Sequence, residues 1–250
     1  MRYYSAMATA GPRPLPSRAL ERALWSAGVL RVAGVDEVGR GPLAGPVYAA
    51  AVILDPRKRP RWLSEVRDSK VLPAPERERL AEAIKKDAPA WGIGWSSVAE
   101  IDAWGISRAN WMAMSRALNK LQIEAEHVLV DGPLKIKGCD LAQQAVIDGD
   151  AKCASIAAAS IVAKVARDSV MCWLDKWHPE YGFASHKGYA TPSHLRSIEI
   201  HGLSPHHRRS WAAVARRSLT FVPASPSPAP ALVPSPSTGR VREGFADAAG

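Results

Sequence analysis

Cysteine is scarce in this chain, three among 250 residues, and Cys139, Cys153 and Cys172 form neither a CxxC pair nor a His/Cys cluster at zinc-ligand spacing. A zinc centre and a disulfide framework are thereby excluded, and a reducing, cytoplasmic setting is expected. No apolar run approaches the roughly 18 residues that a membrane helix needs, and the N-terminus lacks the continuous apolar stretch of a signal peptide. No membrane association is expected. GxSxG, GxxxxGK[ST] and paired Cys/His motifs are also missing, which removes acyl-enzyme, P-loop and thiol chemistry. Acidic residues are in the minority, 24 against 33 Lys+Arg, and the resulting net charge of +9 favours an anionic partner such as nucleic acid.

What is present is enough apolar residue, 47%, to bury a core, in a chain too short to demand two large domains. The first 20 residues carry Arg and Ser but no acid until Glu21, a composition shared with transit peptides; residues 1–18 are read as a disordered extension, and Met7 is an alternative start. From Val222 to Pro236 the chain places six prolines in fifteen residues, so 218–250 is read as an extended, disordered tail. There Arg240 and Arg242 cancel Glu243 and Asp247, which leaves the excess charge to the residues ahead of the tail, where the catalytic domain is expected over 19–217. A docking role for the tail is the alternative to an idle end.

Within 19–217, periodicity predicts a short helix over Ala19–Ser26, then β-rich runs over Arg31–Asp36 and Val47–Leu54 joined by the tight GRGPLAG connection. Helical patterns cover Pro75–Lys86 and Ser107–Lys120. His127–Asp131 reads as a buried strand, Ala145–Ile147 as a further one, and Ser155–Trp177 as the longest helix. Strands followed by helices, with acids where strands stop, describe an α/β domain with its ligand site on one sheet edge.

Those acids are Asp36 with Glu37, Asp131 and Asp150. A buried carboxylate costs several kcal/mol unless paired or metal-bound, so VLVD has no local reason to end in Asp. Any one of the four could be a cap or turn residue. Together they form an all-oxygen donor set suited to Mg²⁺ or Mn²⁺ rather than zinc. Two such ions about 4 Å apart suit in-line attack of water on phosphorus.

The string AGVDEVGRGPLAGPVYAAAVIL (33–54) resembles the opening motif of bacterial ribonuclease HII. Asp68-Ser69-Lys70, the strand VLVDG, GDAKCASIAAASIVAKVARD from Gly149 to Asp168, and HKGYAT from His186 to Thr191 follow in the family's order, over about residues 20–215. The resemblance implies a ribonuclease H-like mixed sheet flanked by helices, with a helical C-terminal segment over about Thr191–Arg217. It implies that Asp36, Glu37, Asp131 and Asp150 are catalytic carboxylates holding Mn²⁺ or Mg²⁺. It further implies that Gly39, Arg40 and Gly41 read the ribose 2′-hydroxyl by their main chain, that Tyr189 packs on the sugar at an RNA–DNA junction, and that Lys70, Lys164 and Lys187 contact phosphates. Asp168 is left between a site role and a structural salt bridge. Val71, Tyr48, Cys153 and Ala190 depart from the usual pattern, and Ala190 bears on the loop of Tyr189.

The activity implied is endonucleolytic cutting of the RNA strand of RNA–DNA hybrids, and cutting 5′ of single ribonucleotides in duplex DNA, in ribonucleotide removal and DNA replication. A monomeric, cytoplasmic enzyme is expected. Two rivals stand beside it. A ribonuclease HIII-like nuclease would cut hybrids only, and that family usually carries an extra N-terminal domain for which the residues before Val32 leave no room. A catalytically inactive hybrid-binding module would gain affinity by losing the acids, which this chain retains. The HHRRSW segment, His206–Trp211, is read as the start of a surface helix, and metal binding by its two adjacent histidines is not expected.

Overall fold

The computed structural model describes residues 15–67, 69, 72–211 and 214. Five strands, β1 (Val32–Val38), β2 (Val47–Ile53), β3 (Ala90–Ser96), β4 (His127–Asp131) and β5 (Ala142–Val146), form one sheet in the order β3-β2-β1-β4-β5. The β1–β2 and β2–β3 pairs are antiparallel, whereas β1–β4 and β4–β5 are parallel. This is the expected mixed sheet.

Every residue of β2, VYAAAVI, is buried, because helices cover both faces of the sheet. The two-residue period of a strand sends Tyr48, Ala50 and Val52 to one side, where they pack with α2 (Ala74–Asp87) and α5 (Ala154–Trp177). Val47, Ala49, Ala51 and Ile53 go to the other side, against α3 (Val98–Leu118). The Ala-rich face of α5 lets it approach closely: a Cβ on Gly34 of β1 would lie 2.2 Å from the Ser155 carbonyl carbon.

The N-terminus of α5 has no side-chain cap of its own. The buried carboxylate of Glu21, from α1 (Ala19–Ser26), accepts the Ser155 amide at 2.8 Å and so fills that role. Cys153 is not an available thiol: it is buried against the same carboxylate, and burial above all pushes it up to about 12.

The structure differs from the expectations in detail. β3 was not foreseen, and α3 begins nine residues before the expected Ser107, at a capping box in which Ser97 and Glu100 satisfy each other's amides. Gly105, at φ 78, kinks that helix, so only its second limb shows the plain helical pattern. After the short α6 (Phe183–His186), the helical C-terminal segment contains α7 (Pro192–His201), and Gly202–Trp211 then runs in turns. The His206–Trp211 segment itself thus runs in turns, with Val214 helical after it, but His207 and Arg208 are buried and not on the surface. Of the expected extension, Ser17 is hydrogen-bonded to Lys152 and Ala154 and Arg18 to the carbonyls of Asp55 and Lys58. Residues 1–14, Asp68, Lys70, Val71 and the Pro-rich tail lie outside the described residues.

Candidate active site

Parallel pairing of β1 with β4 sets Val35 opposite Val130, which brings the next residues, Asp36 and Asp131, side by side at the carboxyl ends of two central strands. That end of a parallel pair is where open α/β sheets hold ligands. Asp36 is almost wholly buried and accepts the Glu37 amide at 2.7 Å through Oδ1. Burial pushes its carboxyl well above the ordinary carboxylate range, and the facing Glu37 and Asp131 push the same way. Ser160, on α5, opposes the shift through a hydrogen bond. Glu37 is also raised by burial, helped by Asp131 and opposed by Arg40, whose Nη1 lies 3.5 Å from Oε1, and by the amide of Asn110 on α3.

Asp150 does not end a strand. It lies in the first turn of α4 (Gly149–Lys152), which follows β5 after Asp148 turns the chain at φ 54. Asp131 Oδ1 accepts the amides of Gly149 at 2.7 Å and Asp150 at 3.3 Å, and these bonds tie the end of β4 to α4. A Cβ at position 149 would sit 3.0 Å from that oxygen, so glycine is what permits the approach.

Asp36, Glu37 and Asp131 are thus one electrostatically linked group, with Asp150 tied to it by its main chain. The donors are carboxylate oxygens, the chemistry that hard divalent cations take. Among the described residues no group of three or more His, Cys, Asp or Glu side chains stands in an arrangement that could hold a metal ion as it is. Backbone amides engage Asp36 and Asp131, and Arg40 engages Glu37.

The loop leaving β1 carries Gly39, Arg40 and Gly41 beside these acids. Gly39 has φ 92, and a Cβ there would strike the buried Arg167 side chain, so glycine is required twice over. A Cβ on Gly41 would meet only the Tyr189 ring, at 3.7 Å. Tyr189 is 44% exposed, so its ring stands beside the glycine loop at the surface.

The expected phosphate lysines divide. Lys70 is not among the described residues. Lys164 donates to Asp168 at 2.7 Å, and Arg77 lies 3.5 Å from the same carboxylate, so Asp168 forms a salt-bridge pair in this structure. Burial lowers the Lys164 ammonium. Lys187, in the left-handed region at φ 52, donates to the Ala184 carbonyl at 2.6 Å. Sequence reasoning missed Asn110 and Ser160, the two polar side chains aimed at the acids. It also missed Arg167 and Arg208, which are fully buried. The only signal for Arg208 was HHRRSW, and it pointed to the surface.

The family described as ribonuclease HII matches residues 33–214. The ribonuclease HII of Chromobacterium violaceum is 50% identical over 185 residues, covering 74% of this chain and 92% of the relative. That of Paracoccus denitrificans is 50% identical over 199 residues, covering 80% and 93%. Among solved structures, the ribonuclease H2 of Pyrococcus horikoshii is similar with a TM-score of 0.67 and 28% identity, covering 76% of this chain and 98% of that one. A ribonuclease HIII solved with Mn²⁺ shares the fold, with a TM-score of 0.60 at 23% identity over 77% of this chain and 70% of that one.

Proposed function

The chain belongs to the ribonuclease HII family and is a metal-dependent endoribonuclease, and from that premise we propose that it cuts 5′ of single ribonucleotides in duplex DNA as well as along RNA–DNA hybrids. The observation that carries the reading is the meeting, at one sheet edge, of the Asp36–Glu37–Asp131 group with the Gly39–Gly41 loop and the facing Tyr189.

In this reading Asp36, Glu37, Asp131 and Asp150 would hold two Mg²⁺ or Mn²⁺ ions. When bound, these supply activation of water and stabilisation of the leaving oxygen in phosphodiester hydrolysis, giving 5′-phosphate ends. Holding them requires Glu37 to release Arg40, whose side chain is 51% exposed and becomes available to a phosphate. Asp131 keeps its position through the Gly149 and Asp150 amides. Main-chain groups of Gly39–Gly41 approach the ribose, where a 2′-hydroxyl offers both a donor and an acceptor that deoxyribose lacks. Tyr189 closes the sugar from the opposite side by stacking. Arg40 and Lys187 contribute phosphate contacts, and for Lys164 such a contact would compete with Asp168.

Among the described residues no helix is long and apolar enough to cross a membrane. We place the work of the enzyme in the cytoplasm, as a monomer, in removing ribonucleotides left by DNA replication, with residues 19–217 as its catalytic domain. The test of the site is Asp131→Asn against wild type on an RNA–DNA hybrid with Mn²⁺. The expected result is a loss of about three orders of magnitude or more in kcat with a Tm no lower than that of the wild type. Full-rate cutting by the variant would remove Asp131 from the reacting centre.

A further inference from the structure

The segment Ser204–Arg208 is packed between the Gly39–Gly45 loop and the elements that carry Tyr189. The chain of His206–Arg208 runs against Leu43–Gly45: Ala44 and His207 form an antiparallel bridge, the Gly45 amide donates to His206, and the Arg208 amide donates to Leu43, both at 2.8 Å. Leu43 in turn donates to the Gly188 carbonyl at 2.8 Å. A Cβ on Gly188 would lie 2.5 Å from the Ala44 oxygen, so no side chain separates the two loops.

Arg208 is fully buried, and among the described residues no carboxylate lies within salt-bridge distance of its guanidinium, Asp102 acting on it only electrostatically. Its partners are main-chain oxygens of the glycine loop. Nη1 donates to Arg40 at 2.8 Å, Nη2 to Gly39 at 2.5 Å and to Gly45 at 2.8 Å, and Nε to Gly45 at 3.0 Å. A planar fork that satisfies three carbonyls at once fixes the path of Gly39–Gly45, and a lysine cannot reproduce it.

His207 reaches the other loop. The Ser204 amide donates to His207 Nδ1 at 3.0 Å, so the ring proton sits on Nε2. His194 Nδ1 faces the Tyr189 carbonyl at 2.8 Å, and a carbonyl only accepts, so the His194 proton sits on Nδ1. His207 Nε2 therefore donates to His194 Nε2 across 3.0 Å, and His194 donates to Tyr189. The Ser204 hydroxyl also faces His207 Nδ1, at 2.8 Å, so both Ser204 donors meet that acceptor and each ring proton has one place in a pair of neutral rings.

We propose that Arg208 and His207 are positioning residues for ribose discrimination: neighbouring in sequence, one holds the carbonyls of the Gly39–Gly45 loop and the other, through His194, holds the main chain of Tyr189. The pair sets the width of the gap in which a 2′-hydroxyl is read. The inference rests on the substrate reading above but concerns residues outside its acidic group.

The test uses the full chain, wild type and as Arg208→Lys, His207→Phe and, as a control in the α2 core, Ile84→Val. Affinity is measured in EDTA for two labelled duplexes of one sequence, all-DNA and with one ribonucleotide, and Tm is recorded for each protein. Loosening either contact is expected to lower the ribonucleotide-over-DNA affinity ratio by about fivefold or more, with all-DNA affinity held within about twofold and the ratio of Ile84→Val unchanged. A merely structural role would lower Tm and the active fraction equally for both duplexes and leave the ratio alone. If Arg208→Lys does not fold, His207→Phe, which keeps the ring volume, carries the test. Wild-type cutting of the ribonucleotide duplex with Mn²⁺, measured alongside, tests the substrate reading separately. An unchanged ratio in a folded variant, or a wild-type ratio of one in a protein that does cut, overturns the positioning role.

Discussion

Asp36 concentrates the physical argument of the site in one side chain. Its carboxyl is buried against two others, which makes the ionised form costly when no cation compensates it. For a carboxyl raised above its unfolded value, the folded state binds more protons, so between the two values stability falls as pH rises. At neutral pH in EDTA, Asp36→Asn is therefore expected to raise Tm by about 2–4 °C for each kcal/mol relieved. The same substitution should abolish the Tm increase that Mn²⁺ gives the wild type. Calorimetry with and without Mn²⁺ checks both, and a lowered Tm in EDTA would show that the charge is not a strain on the fold. Asp36, Glu37 and Asp131 were legible in the sequence because apolar strands seldom stop on acids by chance. Arg208 and His207 were not, because a charged or polar side chain is read as exposed until three-dimensional packing supplies its carbonyl partners.

At the scale of elements, most strands and helices announced themselves through period and composition, and β3 did not. Its sequence, AWGIGWS, spends two of seven positions on glycine, the residue least expected in a strand. The reason lies on α3: a Cβ on Gly92 would lie 2.2 Å from the Ala117 oxygen, and one on Gly94 would lie 2.1 Å from the Ala113 oxygen. Helix backbone rides directly on strand backbone there, and α3 carries the Asn110 that reaches Glu37. Gly94→Ala is expected to cost about 1–3 kcal/mol by overpacking, read as a lower urea midpoint. An unchanged midpoint would mean that the helix can lift off at no cost. The first limb of α3 was legible in principle from the Ser97-x-x-Glu100 capping box, a signal the apolar period alone does not carry.

Over the whole molecule, the mixed sheet was readable from the ordered motifs, but the way its C-terminal segment folds back over the glycine loop was not, since contacts between residues so far apart leave no local pattern. That segment also predicts how stability responds to acid. Burial lowers His194 to about 4 and His207 to about 3, and also brings His206 to about 4. Their ordinary value in an unfolded chain is about 6.5, so between there and about 4 the unfolded state takes up protons that the folded state refuses. The stability these rings contribute is present above about 6.5 and is lost as pH falls toward 4. Tm should drop across that window, and His207→Phe should flatten the drop; an equally steep fall in the variant would assign it elsewhere.

The central claim is that this fold brings carboxylates and a ribose-reading loop together to cut at a ribonucleotide. The most direct measurement is cleavage of an end-labelled DNA duplex containing one ribonucleotide, with Mn²⁺, beside an all-DNA duplex and an EDTA control. The expected result is a single metal-dependent cut on the 5′ side of the ribonucleotide and none in the all-DNA duplex. An intact ribonucleotide duplex, under conditions where the same protein degrades a long RNA–DNA hybrid, would contradict it.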